Sequence, residues 1–144
     1  MNQHFFALLH RMRYINRWGL MRNTQTENIQ EHYLEVAILA HALAEIRARY
    51  FAEGRLPVDP ARVALLAVFR DASEILTGDL PTPVKYYNPA IQEAYQGVEA
   101  IAAEQLLNLV PDDLKPAYRN LLMPDRSDPQ TNEAMRLVKA ADRL

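Results

Sequence analysis

The chain has 144 residues, of which 49% are hydrophobic and 24% charged, with a formal net charge of −2. That length supports one domain with a real core, and the charge balance gives no overall pull toward a nucleic acid polymer or a membrane surface. There is no cysteine, which excludes disulfides, thiolate metal sites and cysteine nucleophiles and fits a reducing compartment.

The charge is uneven. Residues 1–26 contain Arg11, Arg13, Arg17 and Arg22 and no acid. Such a segment suits a phosphate-bearing ligand and equally a solvated basic face. The apolar run FFALL is followed at once by His10 and Arg11, without the length or flanks of a signal peptide, and no segment approaches a membrane span. The expected compartment is the cytoplasm.

In chain order, residues 2–13 form a first amphipathic helix candidate, and residues 14–26 a polar connection. Thr24 and Glu27 have the spacing of a capping box, so a second helix is expected from about Thr24 to Tyr50. Its apolar row reads Ile29, His32, Val36, Leu39, Leu43, Ile46, which puts His32 among hydrophobic positions. Asp59–Pro60 is a strong start signal for a third helix over Pro60–Leu76. Its row reads Ala61, Ala64 or Leu65, Val68, Asp71 or Ala72, Ile75, and Gly78 is a natural stop. Residues 79–88 hold Pro81 and Pro83 and read as a stiff, non-helical loop. A fourth helix is expected over Pro89–Leu109, a short one between Asp112 and Met123, and a last one from about Asn132 onward. That last helix places Leu137, Val138 and Ala141 on one face with Asp142 beside them. No stretch alternates with period two, so the fold class is all-α.

Three chemistry-bearing residues then stand out on three helices: His32, Asp71 and Asp142. If the helices pack side by side, one imidazole and two carboxylates form a hard ligand set suited to Mn²⁺, Mg²⁺ or Co²⁺ rather than to a structural zinc. Glu74 lies one turn after Asp71, where a general base for an attacking water would be useful. Spacing alone leaves the alternatives open. A lone histidine on an apolar face is more often a hydrogen-bonded core residue, Asp71 could pair with an arginine, and Asp142 could lie on the surface.

The segments INRW at 15–18, TENIQEH at 26–32, DASEILTGDLPTPVKYYN at 71–88 and LVKAADRL at 137–144 resemble the bacterial HD-domain 5′-deoxynucleotidases over essentially the whole chain. The resemblance implies a single all-α HD-type domain over residues 1–144. It also implies one divalent metal (cobalt, manganese or magnesium) and hydrolysis of deoxyribonucleoside 5′-monophosphates to nucleoside and phosphate. It places the metal ligands at His32, Asp71 and Asp142, and the catalytic residues at Glu74, Asp71 and Arg17. Substrate contacts fall on Arg17, Trp18, His32, Asp79, Leu80, Pro81, Thr82 and Asp142. In this reading the arginine fork orients the phosphate and the Trp18 wall excludes a 2′-hydroxyl.

Two departures accompany the resemblance. The histidine of the HD doublet is replaced by Arg70, and a guanidinium has no lone pair for a metal. Arg70 could instead turn outward and pair with Glu74 at i, i+4. Family members also continue beyond the final aspartate, whereas this sequence stops two residues after Asp142. The alternative functions are therefore a nucleotide-binding pseudoenzyme or an inactivated variant, and a helical scaffold in which His32 and Asp71 are satisfied core polars. Leu137, Val138 and Leu144 on the last helix need cover, and with the family's habit this leads to an expected homodimer.

Overall fold

A computed structural model describes residues 4–17 and 24–144. Its helices are α1 (Phe5–Leu9), α2 (Ile29–Tyr50), α3 (Pro60–Phe69), α4 (Glu74–Thr77), α5 (Thr82–Lys85), α6 (Pro89–Asn108), α7 (Lys115–Leu122) and α8 (Pro129–Asp142), with a 3-10 turn at His10–Tyr14 after α1. Among the described residues there is no strand, only an isolated antiparallel bridge between Asn16 and Asn28. The all-α class expected from the periodicity is the class observed. No described helix is long and apolar enough to cross a membrane.

The chain separates into two compact units, one of residues 1–31 and 71–123 and the other of 32–70 and 124–144. In the first unit, α6 supplies Ala102, Ala103, Leu106 and Leu107 to the core. Phe5 of α1 is fully buried and meets Tyr118 of α7 edge to face, with ring centroids 5.3 Å apart. Such edge-to-face pairs satisfy the ring quadrupoles as well as burying area. Asn88 and Pro89 start α6 as their chemistry directs: the Asn88 side chain accepts from the Ile91 amide at 2.8 Å, and proline occupies the first turn, where no amide is missed.

Two starts differ from the sequence reading. The second helix begins at Ile29, not Thr24. The capping box is formed by Asn28 and Glu31: the Glu31 amide donates to Asn28 Oδ1 at 2.9 Å and the Asn28 amide to Glu31 at 3.4 Å. Glu27 is occupied otherwise. Its carbonyl accepts from the Arg17 amide at 2.8 Å and its carboxylate pairs with the Arg17 guanidinium. The proline-rich loop after Gly78 also contains a short helix. Pro83 sits in the first turn of α5, where its ring is compatible with helix.

In the second unit, α3 packs against α8. Val63, Leu66 and Ala67 are buried from one side, and Ala134, Met135, Val138 and Ala141 from the other. Asp59 caps α3 by accepting from the Ala61 amide at 3.0 Å, as its sequence signal predicts. Asp128 caps α8 through the Thr131 amide at 2.9 Å and the Thr131 hydroxyl at 2.8 Å, so the helix begins at Pro129, three positions before the expected start. Thr131 accepts in turn from Arg62 at 2.9 Å.

The expected apolar rows are partly rotated. On α2 the buried residues are Ile29, Tyr33, Val36, Ala37, Ala40, Ala44 and Arg47, so Ile29 and Val36 of the expected row are buried while Leu39 and Ile46 are exposed. On α3, Leu65 and Val68 are exposed while Val63 and Leu66 are buried. Alanines lie on the buried face of α2, where small side chains allow close approach; a reading weighted by side-chain size follows the larger residues instead. Helix three also ends early. Residues 70–73 form turns, so α4 is a separate element and the Pro60–Leu76 helix is two pieces.

Arg47 was not singled out by sequence, and it is 8% exposed. Its Nη2 donates to the Leu56 carbonyl at 3.0 Å and lies 3.4 Å from Glu133. A buried guanidinium with such partners fixes the loop after α2 and ties it to α8.

Leu66→Ala should cost about 2–5 kcal/mol by removing a wholly buried side chain from the α3–α8 core. Asp128→Ala should cost about 1 kcal/mol by removing the α8 cap. Urea unfolding followed by circular dichroism measures both, and a Leu66→Ala loss no larger than the cap loss would contradict this packing.

Candidate functional site

The candidate residues divide between the two units. In the second unit, α2 presents His32 next to buried Tyr33, and α8 presents Asp142 next to buried Ala141. The neighbours are anchored in the core, so both polar heads are directed by packed helices. His32 and Asp142 lie 110 positions apart in sequence, and Nε2 of His32 meets Oδ1 of Asp142 at 2.6 Å. An ionised carboxylate only accepts, so Nε2 carries the proton and donates. Arg70 follows the last residue of α3, and its Nη1 lies 2.9 Å from the other Asp142 oxygen. The hydrogen bond from His32 holds the Asp142 carboxyl well below its ordinary 3.8; burial pushes upward, and the Arg70 charge lowers it further. Residues 70–73 are turn, so the helical i, i+4 spacing suggested for Arg70 and Glu74 is interrupted.

In the first unit, Glu74 opens α4 and is 8% exposed; Ala72 and Ile75 on either side are also buried. Asp71 is half-buried on the turn before it. Gly78 ends α4 with φ 74°, a left-handed conformation that an L side chain seldom adopts. The chain then runs through Asp79 and Leu80, both half-buried, buried Pro81 and exposed Thr82. Arg17 belongs to the same unit and is paired with Glu27. Trp18 lies outside the described residues.

A network beside this turn had no signal in the sequence. Lys85 Nζ donates to Glu99 Oε1 at 2.8 Å and sits 4.7 Å from the centre of the Tyr95 ring. Burial disfavours the Lys85 charge, but the hydrogen bond and charge of Glu99, with the charge of Asp71, outweigh it and raise the ammonium above its ordinary value. Burial likewise raises the Tyr95 phenol, against the opposing effects of a hydrogen bond with Thr77 and the Lys85 charge.

The structure therefore brings His32 and Asp142 together, with Arg70 as third member. Asp71 and Glu74 belong to the first unit. Among the described residues, no three His, Cys, Asp or Glu side chains gather where they could hold a metal ion. Of the expected set His32, Asp71 and Asp142, the two members in the second unit meet, and the second oxygen of Asp142 is matched to a guanidinium. The donor chemistry of the pair, one imidazole nitrogen and one carboxylate, fits a divalent ion, provided Arg70 yields that oxygen.

The helical architecture is that of the HD-domain phosphohydrolases. One such enzyme from Listeria innocua superposes with a TM-score of 0.75 over 97% of this chain at 21% identity. An HD phosphohydrolase of cyanophage S-2L, solved with dA and one catalytic Zn²⁺, superposes with a TM-score of 0.62 over 94% at 25% identity. The chain spans 64% of each of these two structures.

Residues 4–144 match the family described as 5′-deoxynucleotidase YfbR-like. A 5′-deoxynucleotidase of Pectobacterium atrosepticum is 52% identical over 146 residues, covering 100% of this chain and 70% of the relative. One from Shewanella oneidensis is 52% identical over 141 residues, covering 98% and 69%. The chain belongs to the YfbR-like 5′-deoxynucleotidase family, a group of phosphoric monoester hydrolases.

The depressed Asp142 carboxyl sets an acid limit on the second unit. Its pairing contributes stability that is whole above 3.8 and is lost as pH falls from there toward its lowered folded value. Thermal melts of the wild type and Asp142→Asn across that range should therefore converge with falling pH. A melting difference that stays constant would show that the pairing contributes nothing.

Proposed function

We propose that this chain hydrolyses deoxyribonucleoside 5′-monophosphates to deoxyribonucleoside and phosphate, with residues 1–144 acting as one domain. The observation that supports this most is the pairing of His32 with Asp142, which joins residues 110 positions apart within the family match. In this reading Arg17 orients the phosphate with its guanidinium fork, exchanging part of its contact with Glu27 for the phosphoryl oxygens. The Asp79–Thr82 turn and Trp18 contact the nucleoside.

A water attacks phosphorus as the bond to the 5′-oxygen breaks. Glu74, with Asp71, takes the proton that the water loses, and the departing oxygen is protonated to give the free nucleoside. The buried position of Glu74 suits a base that must act apart from bulk solvent. A divalent ion held by His32, Asp71 and Asp142 would supply neutralisation of charge developing on the phosphoryl oxygens. Cobalt, manganese and magnesium all suit this donor set. A cytoplasmic homodimer completes the proposal by analogy with the family alone, since Val138, expected to need cover from a partner, is wholly buried within the chain.

Phosphate release from dAMP should exceed that from AMP, and Trp18→Ala should narrow the gap. One steric contact of this kind accounts for about 1–3 kcal/mol. Equal rates on both substrates in the wild type would reject the deoxynucleotide reading. Glu74→Gln should lower the rate by about 10²–10⁴, the usual contribution of a general base. Arg70→His should raise both metal retained after dialysis and phosphate release, because a neutral donor replaces a charged competitor. If both quantities match those of the wild type, this position is not a ligand in this chain.

A further inference from the structure

A turn that reads a small ligand must have its shape fixed before the ligand arrives, because ordering it on binding lowers affinity. The Asp79–Thr82 turn leaves α4 after Thr77 and Gly78 and continues into α5, which ends at Lys85. Both flanks are held by one helix. At the entering flank α4, which ends at Thr77, packs against α6. At the other flank the Lys85 ammonium donates to Glu99 of α6 at 2.8 Å. Tyr95 and Glu99 are four residues apart, hence neighbours on one face of α6. The Lys85 ammonium also lies over the Tyr95 ring at 4.7 Å, so Tyr95 and Glu99 hold the same side chain.

We propose that Lys85, Tyr95 and Glu99 are positioning residues that clamp the exit of the Asp79–Thr82 turn against α6 and so set the affinity for the deoxyribonucleotide. The proposal rests on the reading of that turn as substrate-contacting. α4, which opens with Glu74, packs on the same helix, so α6 backs the turn from both sides. At the entering side the Thr77 hydroxyl shares its one proton between the Gly78 carbonyl at 3.1 Å and the Ser73 carbonyl at 3.4 Å, which ties the last turn of α4 to the glycine that redirects the chain. An ion pair whose only role was stability would affect melting and leave the division between binding and turnover unchanged.

The test is steady-state hydrolysis of dAMP, with dAMP binding by calorimetry in parallel, for the wild type and for Lys85→Met, Lys85→Arg and Glu99→Gln. Lys85→Met removes the charge and keeps much of the side-chain volume. It should raise KM and the dissociation constant about fivefold or more while kcat changes less than about twofold. Lys85→Arg can still reach Glu99 and should recover most of the affinity. Glu99→Gln keeps an acceptor for the ammonium but loses the counter-charge, so it should give a smaller rise in KM. Unchanged KM in Lys85→Met, or no recovery in Lys85→Arg, overturns the clamp while leaving the proposed function intact. If the wild type neither binds nor hydrolyses dAMP, the function and the clamp both fall. If Lys85→Met does not fold, the Glu99→Gln rise in KM decides the question alone.

Discussion

The two oxygens of the Asp142 carboxylate have different partners, and the second unit's chemistry follows from that division. One oxygen accepts from the imidazole of His32 and the other faces the guanidinium of Arg70. Three separate stretches of chain meet at this carboxylate, each fixed by a buried neighbour. Ala141 anchors α8, Tyr33 anchors α2, and the α3 core of Val63, Leu66 and Ala67 fixes the helix that leads into Arg70. A half-buried carboxylate needs compensation, and here a hydrogen bond and a cation supply it together. Under the proposed function a divalent ion would not arrive at a vacant set of donors. It would exchange with a charge that the chain already carries, and its net gain would be only the difference between the two cations at that oxygen.

Much of the helical plan was legible in local chemistry. Asp59–Pro60 starts α3 and Asn88 with Pro89 starts α6, because a side-chain acceptor followed by proline satisfies the free amides of a first turn without help from elsewhere. Where two local signals competed, sequence chose wrongly. Thr24 and Glu27 had the spacing of a capping box, but Glu27 is bound by Arg17, and Asn28 with Glu31 makes the cap instead. That choice depends on a partner ten residues away, which no window around the helix start reveals. The rotated faces of α2 and α3 have a similar origin. Alanine carries little weight in a hydrophobic count, yet Ala37, Ala40 and Ala44 mark the buried side of α2.

His32 and Asp142 of the candidate site emerged from apolar rows and from the family resemblance, and they do pair. Asp71 was placed with them on the same two grounds; it lies in the first unit, on the turns at residues 70–73 that end the third helix sooner than its periodicity suggested. The absence of the doublet histidine was plain from residue type alone. That its guanidinium would lie against Asp142 was not, since an arginine has several torsions and Asp142 is brought near it only by the packing of α3 on α8. Lys85, Tyr95 and Glu99 gave no signal at all. A lysine in a proline-rich segment and two residues on an exposed-looking helix acquire meaning only when α5 and α6 are set side by side.

Arg47 has a consequence for how the second unit opens. Its guanidinium is bonded to the Leu56 carbonyl in the loop after α2 and lies against Glu133 in α8, while the Gln130 amide reaches the Pro57 carbonyl at 3.2 Å. If the loop detaches, a buried cation loses a hydrogen bond; if the start of α8 detaches, it loses its counter-charge. Either event leaves charge badly solvated, so each makes the other easier once it has occurred and rarer until then. Loop and helix therefore form one cooperative element, and amide exchange in residues 55–58 is governed by the opening of α8 rather than by the loop's own lack of regular structure.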